Sequence, residues 1–323
     1  MHRFACMLTL AISAVAAAQD NPSDAFPLRA HNPVLQVYGM PAFQTQALVA
    51  PGGFDVSFSY DVANDADDAD RDREVLVIDA ETEVVNLSLR RRIGERFEVG
   101  LDIPWVRHSG GHLDRMIFEF HDLVGLSNSA RKGPDDLFQL YFERDGTTLL
   151  DISSPVSGIG DIQLSATTTI GRATLRAGIK APTGDAGKLT GSGAVDVSLG
   201  VYGGGTKTLF DRNLDYSGFA GVLKLGKGDI LPELQRSVVG YGGGILRWHA
   251  TTRLSLATQL YVQGPYFDAN LDELGGTTFQ LAFGGDYRLP QHGWLFRFAI
   301  AEDIAAGAAP DFALHLSVRR FSR

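Results

Sequence analysis

Phe54-Asp55-Val56-Ser57-Phe58-Ser59-Tyr60-Asp61-Val62 decides the fold, because apolar and polar residues alternate through it without a break. Period-two alternation puts every apolar side chain on one face of a strand and every polar one on the other. The same metre returns at Phe97-Val99-Leu101-Ile103-Trp105, at Leu254-Leu256-Leu260-Val262 and at Phe279-Leu281-Phe283-Tyr287. Trp294-Phe296-Phe298-Ile300 and Phe312-Leu314-Leu316-Val318 close the series. Repeated at roughly ten-residue intervals, this is the pattern of a transmembrane β-barrel, apolar toward lipid and polar toward the lumen.

The chain therefore reads as all-β, a transmembrane antiparallel up-and-down barrel of about twelve strands. Their spans are 53–63, 74–92, 96–107, 158–170, 172–182, 193–205, 212–225, 236–248, 253–264, 275–288, 293–303 and 310–321. The odd-numbered connections are long (64–73, 108–157, 183–192, 226–235, 265–274, 304–309). The even ones are mostly tight, as at Gly94-Glu95, Gly171, 249–252 and 289–292. Short periplasmic turns alternating with long outer loops are the asymmetry such barrels show. An even strand count puts both termini on the periplasmic side.

Residues 1–18 fit a signal peptide: Arg3, an apolar run from Phe4 to Val15, and Ala16-Ala17-Ala18 as a small-residue cleavage site. Cys6 lies in this leader and is the only cysteine, so the mature chain has neither a disulfide nor a Cys-ligated metal. Removing the leader takes away one basic residue, moving the formal net charge from −9 to about −10. That acidity argues against nucleic acid as a partner. Residues 19–52 carry Pro22, Pro27, Pro33, Pro41 and Pro51 and lack the strand metre, which suggests a periplasmic arm or a plug threaded into the lumen.

Residues 53–323 then form the barrel, and its polar face carries Asp55, Asp61, Glu98, Asp102, Asp196 and Asp286 with Arg176, Lys180 and Arg297. Facing lipid, an Arg or Lys costs roughly 2–4 kcal/mol at the midplane, so these charges are expected inward. They serve either as a cross-linked charge network or as a solute path. Arg247, Glu302 and Asp303 have no clear face. Gly203-Gly204-Gly205 and Gly242-Gly243-Gly244 mark bends or room for bulky lumen neighbours rather than a phosphate loop.

The 108–157 segment is the expected large extracellular loop, built as a helix plus a hairpin. Leu113, Met116, Ile117, Phe120, Leu123 and Val124 fall at helical spacing, and Phe138-Leu140-Phe142 before Asp145-Gly146 suggests a hairpin. Leu113, Asp114, Ile117, Phe120, His121, Asp122 and Arg131 are the candidate residues of a lid over the outer mouth. Gly110-Gly111 between His108 and His112 disfavours a helical zinc pair. The acidic run Asp65, Asp67, Asp68, Asp70, Asp72 lacks the glycine and terminal Glu of a calcium loop, so it reads as a solvated outer loop.

The loop stretch Ser109-Gly110-Gly111-His112-Leu113-Asp114, with Ile117, Phe120-His121-Asp122, Gly125-Leu126, Asn128 and Arg131, resembles a proteobacterial family, domain of unknown function 3187. Asn32-Pro33-Val34, Tyr38-Gly39-Met40-Pro41, Asp79-Ala80-Glu81-Thr82, Ile103-Pro104 and Gly158-x-Gly160-Asp161 extend the resemblance over most of the mature chain. Val34 stands in place of an expected Leu, and Ala80 in place of an expected Gly. The resemblance implies an outer-membrane-like barrel and supplies no activity, ligand or catalytic residue.

The function expected from these features is a passive channel or transporter for small solutes in the Gram-negative outer membrane, gated by the 108–157 loop. The alternative is a structural or surface-binding outer-membrane protein with a sealed lumen. A lipid hydrolase is disfavoured: no Gly-x-Ser-x-Gly occurs, and His315 and Ser317, two apart on one strand, are expected about 7 Å apart. No enzyme activity, cofactor or metal is expected. The expected partners are outer-membrane lipids and, during export, periplasmic chaperones and the barrel-assembly machinery.

Overall fold

The computed structural model describes residues 25–43, 48–113, 137–304 and 308–321. The leader and the helix expected within 114–126 lie outside them, as do Asp114, Ile117, Phe120, His121, Asp122 and Arg131. The strands are β1 (Phe54–Arg71), β2 (Glu74–Ile93), β3 (Phe97–Ser109), β4 (Gln139–Arg144), β5 (Thr147–Ile152), β6 (Val156–Ile159), β7 (Gln163–Ile170) and β8 (Ala173–Lys180). They continue as β9 (Asp196–Leu209), β10 (Arg212–Lys224), β11 (Val238–Trp248), β12 (Leu254–Gln263), β13 (Thr278–Leu289), β14 (Trp294–Asp303) and β15 (Phe312–Phe321). Each of β7 to β15 pairs antiparallel with the next, β1 joins β15, and β2–β3 and β3–β7 close the ring. The result is a closed 12-strand barrel, with β4, β5 and β6 attached at one end. No described helix is long and apolar enough to cross a membrane.

The outward face is apolar. Phe58, Leu87, Phe97, Leu199, Phe283 and Phe298 all project from the ring with large exposed surfaces. In water such a surface would drive aggregation, whereas in a bilayer it meets lipid. Phe283→Arg, at the centre of β13, is therefore expected to cost about 2–4 kcal/mol in vesicle-reconstituted protein, read by urea unfolding. A variant as stable as the parent would show that this face does not meet lipid.

Two expected loops turn out differently. Residues 64–71 are strand, not a solvated loop: β1 and β2 stay paired to Arg71↔Glu74 and turn through Asp72-Arg73, whose φ values of 52° and 66° suit a two-residue hairpin. The acidic residues do not prevent this, because the ladder bonds are between backbones and β2 supplies apolar partners, Leu76 and Ile78, which are fully buried. The 108–157 segment also contains ladder. β6 pairs with the end of β3 from Trp105 to His108, and the β4–β5 hairpin, turning at Asp145-Gly146, pairs through β4 with the end of β2. Leu140 and Phe142 of that hairpin are buried in one apolar cluster with Val34, Leu35 and Tyr38.

Candidate functional site

The interior of the ring is where this chain departs from a simple tube. The N-terminal stretch 25–43 runs inside it, with Phe26, Leu28, Val34, Tyr38 and Phe43 all buried. It has no strand partner, so its backbone polar groups are met by lumen side chains, as buried amides require. Gln259 on β12 takes the Phe26 N–H at 2.9 Å and donates to the Phe26 carbonyl at 3.0 Å. Asn32 starts a turn by accepting from the Val34 N–H at 3.0 Å and donates to Asp65 at 3.3 Å. Gln36 donates to the Leu189 carbonyl at 2.6 Å. The Gly39 N–H donates to Asp196 Oδ2 at 2.8 Å, and the Val49 N–H to Glu98 at 2.7 Å.

These partners trace a path. Val49 meets the first residues of β3, near the tight-turn end, Phe43 lies among mid-barrel rings, and Tyr38 stacks on Tyr266 in the 264–277 loop at 5.1 Å between centroids. From there the chain returns past Asp65 to Gln259 and Arg297, whose Nη1 donates to the Ala25 carbonyl at 2.6 Å. The segment is a U with its bend at the loop end and both arms directed toward the tight-turn end.

Lys180 is the central fastening. Its Nζ donates to the Val37 carbonyl at 3.2 Å, pairs with Asp196 at 3.3 Å, and contacts Asp161 and Ser192 closely. A β-carbon on Gly39 would fall 2.9 Å from Lys180 Cβ and 3.0 Å from Asp196 Cβ, so only glycine lets the segment approach this wall.

All nine charges expected inward are buried in the lumen. Asp55 contacts Arg319, and Asp61 meets His315 Nδ1 at 2.6 Å. Asp102 is gripped at 3.0 Å on both oxygens by Arg90. Asp286 accepts from Arg297 Nε at 2.7 Å and contacts Arg247. Arg176 donates to Thr167 at 2.9 Å and lies over the Tyr202 ring. Arg247, which has no clear face in the sequence, points inward. Sequence reading did not pair these charges with Arg90, Asp161, Gln259 or His315; Asp161 stood out as part of the Gly158-x-Gly160-Asp161 motif, and His315 only for its spacing to Ser317. Of the loop candidates, Leu113 donates its N–H to Glu81 at 3.0 Å. On the N-terminal segment, burial lowers the His31 imidazole to about 4, opposed by Asp61.

The spacing argument against a serine–histidine contact also needs correction. Ser317 Oγ lies 2.9 Å from His315 Nε2, and His315 Nδ1 lies 2.6 Å from Asp61. Side chains two apart lean along the strand, which closes the expected 7 Å between their backbones. A second such relay, Ser255–His249–Asp215, has contacts of 3.0 and 2.7 Å. Ser317 sits between Arg297 and Ser59 in two ladders. Its strand's amides are thus committed to neighbours rather than directed at a developing oxyanion.

Among the described residues, a cavity of about 120 Å³ lies between the N-terminal segment and the wall, bounded by Arg29, Phe43, Asp102, Arg176 and Ser317. It has room for ordered water.

The fold has a counterpart in the COG4313 outer membrane channel from Pseudomonas putida F1, with a TM-score of 0.57 at 15% identity, covering 85% of this chain and 97% of that one. Fainter likenesses are the translocator domain of autotransporter NalP from Neisseria meningitidis (TM-score 0.42, 11% identity, 84% and 88% covered) and the β domain of the Bordetella autotransporter BrkA (0.42, 12%, 84% and 99%). No curated protein matches the chain. The motifs that carry the family resemblance lie at the fastenings just described: Gly39 on Asp196, Glu81 on Leu113, Asp161 on Lys180. The chain belongs to the family described as protein of unknown function (DUF3187), which matches residues 4–321.

Proposed function

We propose that this protein is a passive outer-membrane channel for small solutes, held closed at rest by its own N-terminal segment. The observation that carries the reading is residues 25–43 threaded through a closed ring and fastened to it by hydrogen bonds and buried apolar contacts, with no ladder to any strand. The segment is not part of the strand ladder, so it can leave without unfolding the ring. The tight-turn end is periplasmic and the hairpin end external. The 108–157 loop then acts as an outer cover, since Leu140 and Phe142 pack into the cluster that holds the bend of the segment. Lipid is the partner of the outward face, and the Ser–His–Asp relays are structural ties within the wall.

The test is ion conductance in planar bilayers. The intact chain should be silent or nearly so, and a chain lacking residues 25–43 should show discrete steps several-fold larger. A folded, heat-modifiable barrel that stays silent after the deletion would refute the channel and favour a structural protein with a sealed lumen.

A further inference from the structure

Most lumen charges meet a basic or acidic partner. Asp55 has Arg319, Asp61 has His315, Asp102 has Arg90, Asp161 and Asp196 share Lys180, and Asp286 binds Arg247 and Arg297. Arg176 differs. It is only 5% exposed, its Nε donates to Thr167, and its Nη1 is buried without a hydrogen-bond partner. Among the described residues no carboxylate is in ion-pair contact with it; Glu98, in register with Thr167, accepts from the Val49 N–H instead. A buried guanidinium with an unused donor is costly unless something fills it.

Next to it lies an aromatic seat. The Arg176 guanidinium stands 5.0 Å from the centroid of Tyr202. Tyr202 and Phe219 are stacked at 5.7 Å, and Phe219 has Tyr241 and Tyr261 at 6.0 Å on its other sides. The ring occupying this seat is Phe43, stacked on Phe219 at 4.0 Å and 6.4 Å from Tyr202. Phe43 belongs to the N-terminal segment, whereas every other ring belongs to the wall. Phe43 and Arg176 line the same cavity, as does Arg29.

We propose that the seat of Phe43 is the solute site of the open channel and takes a small aromatic carboxylate. This rests on the plugged-channel reading for how the seat comes free. The solute ring replaces Phe43 on Phe219, and its carboxylate accepts from the vacant Nη1 of Arg176. Stacking supplies affinity for any planar ring. The charge-assisted bond selects the anion, and a ring bearing an ammonium group cannot accept from Arg176 and leaves its Nη1 unfilled.

Calorimetric titration of the purified full chain with benzoate tests the site. Phe43→Ala empties the seat and should bind benzoate saturably, while the parent binds far more weakly. Adding Arg176→Met should weaken benzoate roughly tenfold, the worth of one charge-assisted hydrogen bond, and leave benzyl alcohol unchanged. Equal affinity of the Phe43→Ala chain for benzoate and benzyl alcohol would overturn the proposal, revealing a plain apolar cavity. So would the absence of benzoate binding in a folded variant. If Phe43→Ala does not fold, benzoate against benzylammonium flux in vesicles decides: Arg176→Met must lower that ratio, and an unchanged ratio refutes the site. Binding without conductance in the segment-deleted chain would fault the channel reading alone. Conductance without Arg176-dependent binding would fault the site alone.

Discussion

Lys180→Met is expected to destabilise the barrel by about 3–5 kcal/mol, the effect of removing one member of a buried charge cluster. The Lys180 side chain is 1% exposed, and its two carboxylates, Asp161 and Asp196, are 3% and 0% exposed. Methionine matches the length of the stem but leaves both carboxylates buried beside each other with no cation between them. It also removes the donor to the Val37 carbonyl, so the N-terminal segment loses a fastening near its bend. Urea unfolding of reconstituted protein measures the first effect, and a rise in open events in bilayers measures the second. The triple variant Lys180→Met, Asp161→Asn, Asp196→Asn should recover most of the stability, because the loss arises from stranded charge rather than from the missing bond. A single variant as stable as the parent would show that water reaches these carboxylates.

Asp286→Asn is expected to have a comparable effect on the other arm of the segment, again about 3–5 kcal/mol. One carboxylate on β13 bridges two guanidinium groups, Arg247 on β11 and Arg297 on β14, with all three side chains at most 7% exposed. Asparagine leaves two positive groups in each other's field with a neutral amide between them. Both stand over the ring of Phe26, at 5.4 and 5.8 Å, so their displacement also disturbs the start of the threaded segment. Limited proteolysis near residue 25 should accelerate in the variant, and Arg247→Met in the same chain should restore part of the stability. Unchanged unfolding would mean that Arg247 and Arg297 find sufficient alternative acceptors.

The architecture was legible because lipid imposes a local rule. An outward residue must be apolar and its neighbours need not be, so Phe54 to Val62 declares both its secondary structure and its environment. The same rule located Asp55, Arg176 and Asp286 on the inner face, since lipid excludes them. It fails wherever the strand leaves the bilayer. Asp65 to Asp70 read as loop because the alternation ends there, yet the ladder continues on backbone bonds and on the buried Leu76 and Ile78 of β2. It fails again for His315 and Ser317, where counting backbone spacing ignored the lean of side chains along a strand.

Residue order by itself thus determined a ring of lipid-facing strands, its approximate strand number and the charged character of its interior. The tertiary structure alone decided which charges meet. Asp61 finds His315, and Asp55 finds Arg319, 254 and 264 positions away, because β15 returns to lie against β1. It also decided that the proline-bearing stretch before the barrel fills it. Nothing in residues 25–43 specifies a partner for their amides; Gln259, Asp196, Lys180 and Arg297 become available only when ring closure gathers four distant strands around one axis. Alternation is written between neighbours in the chain, whereas a closed lumen is written between residues that only closure brings together.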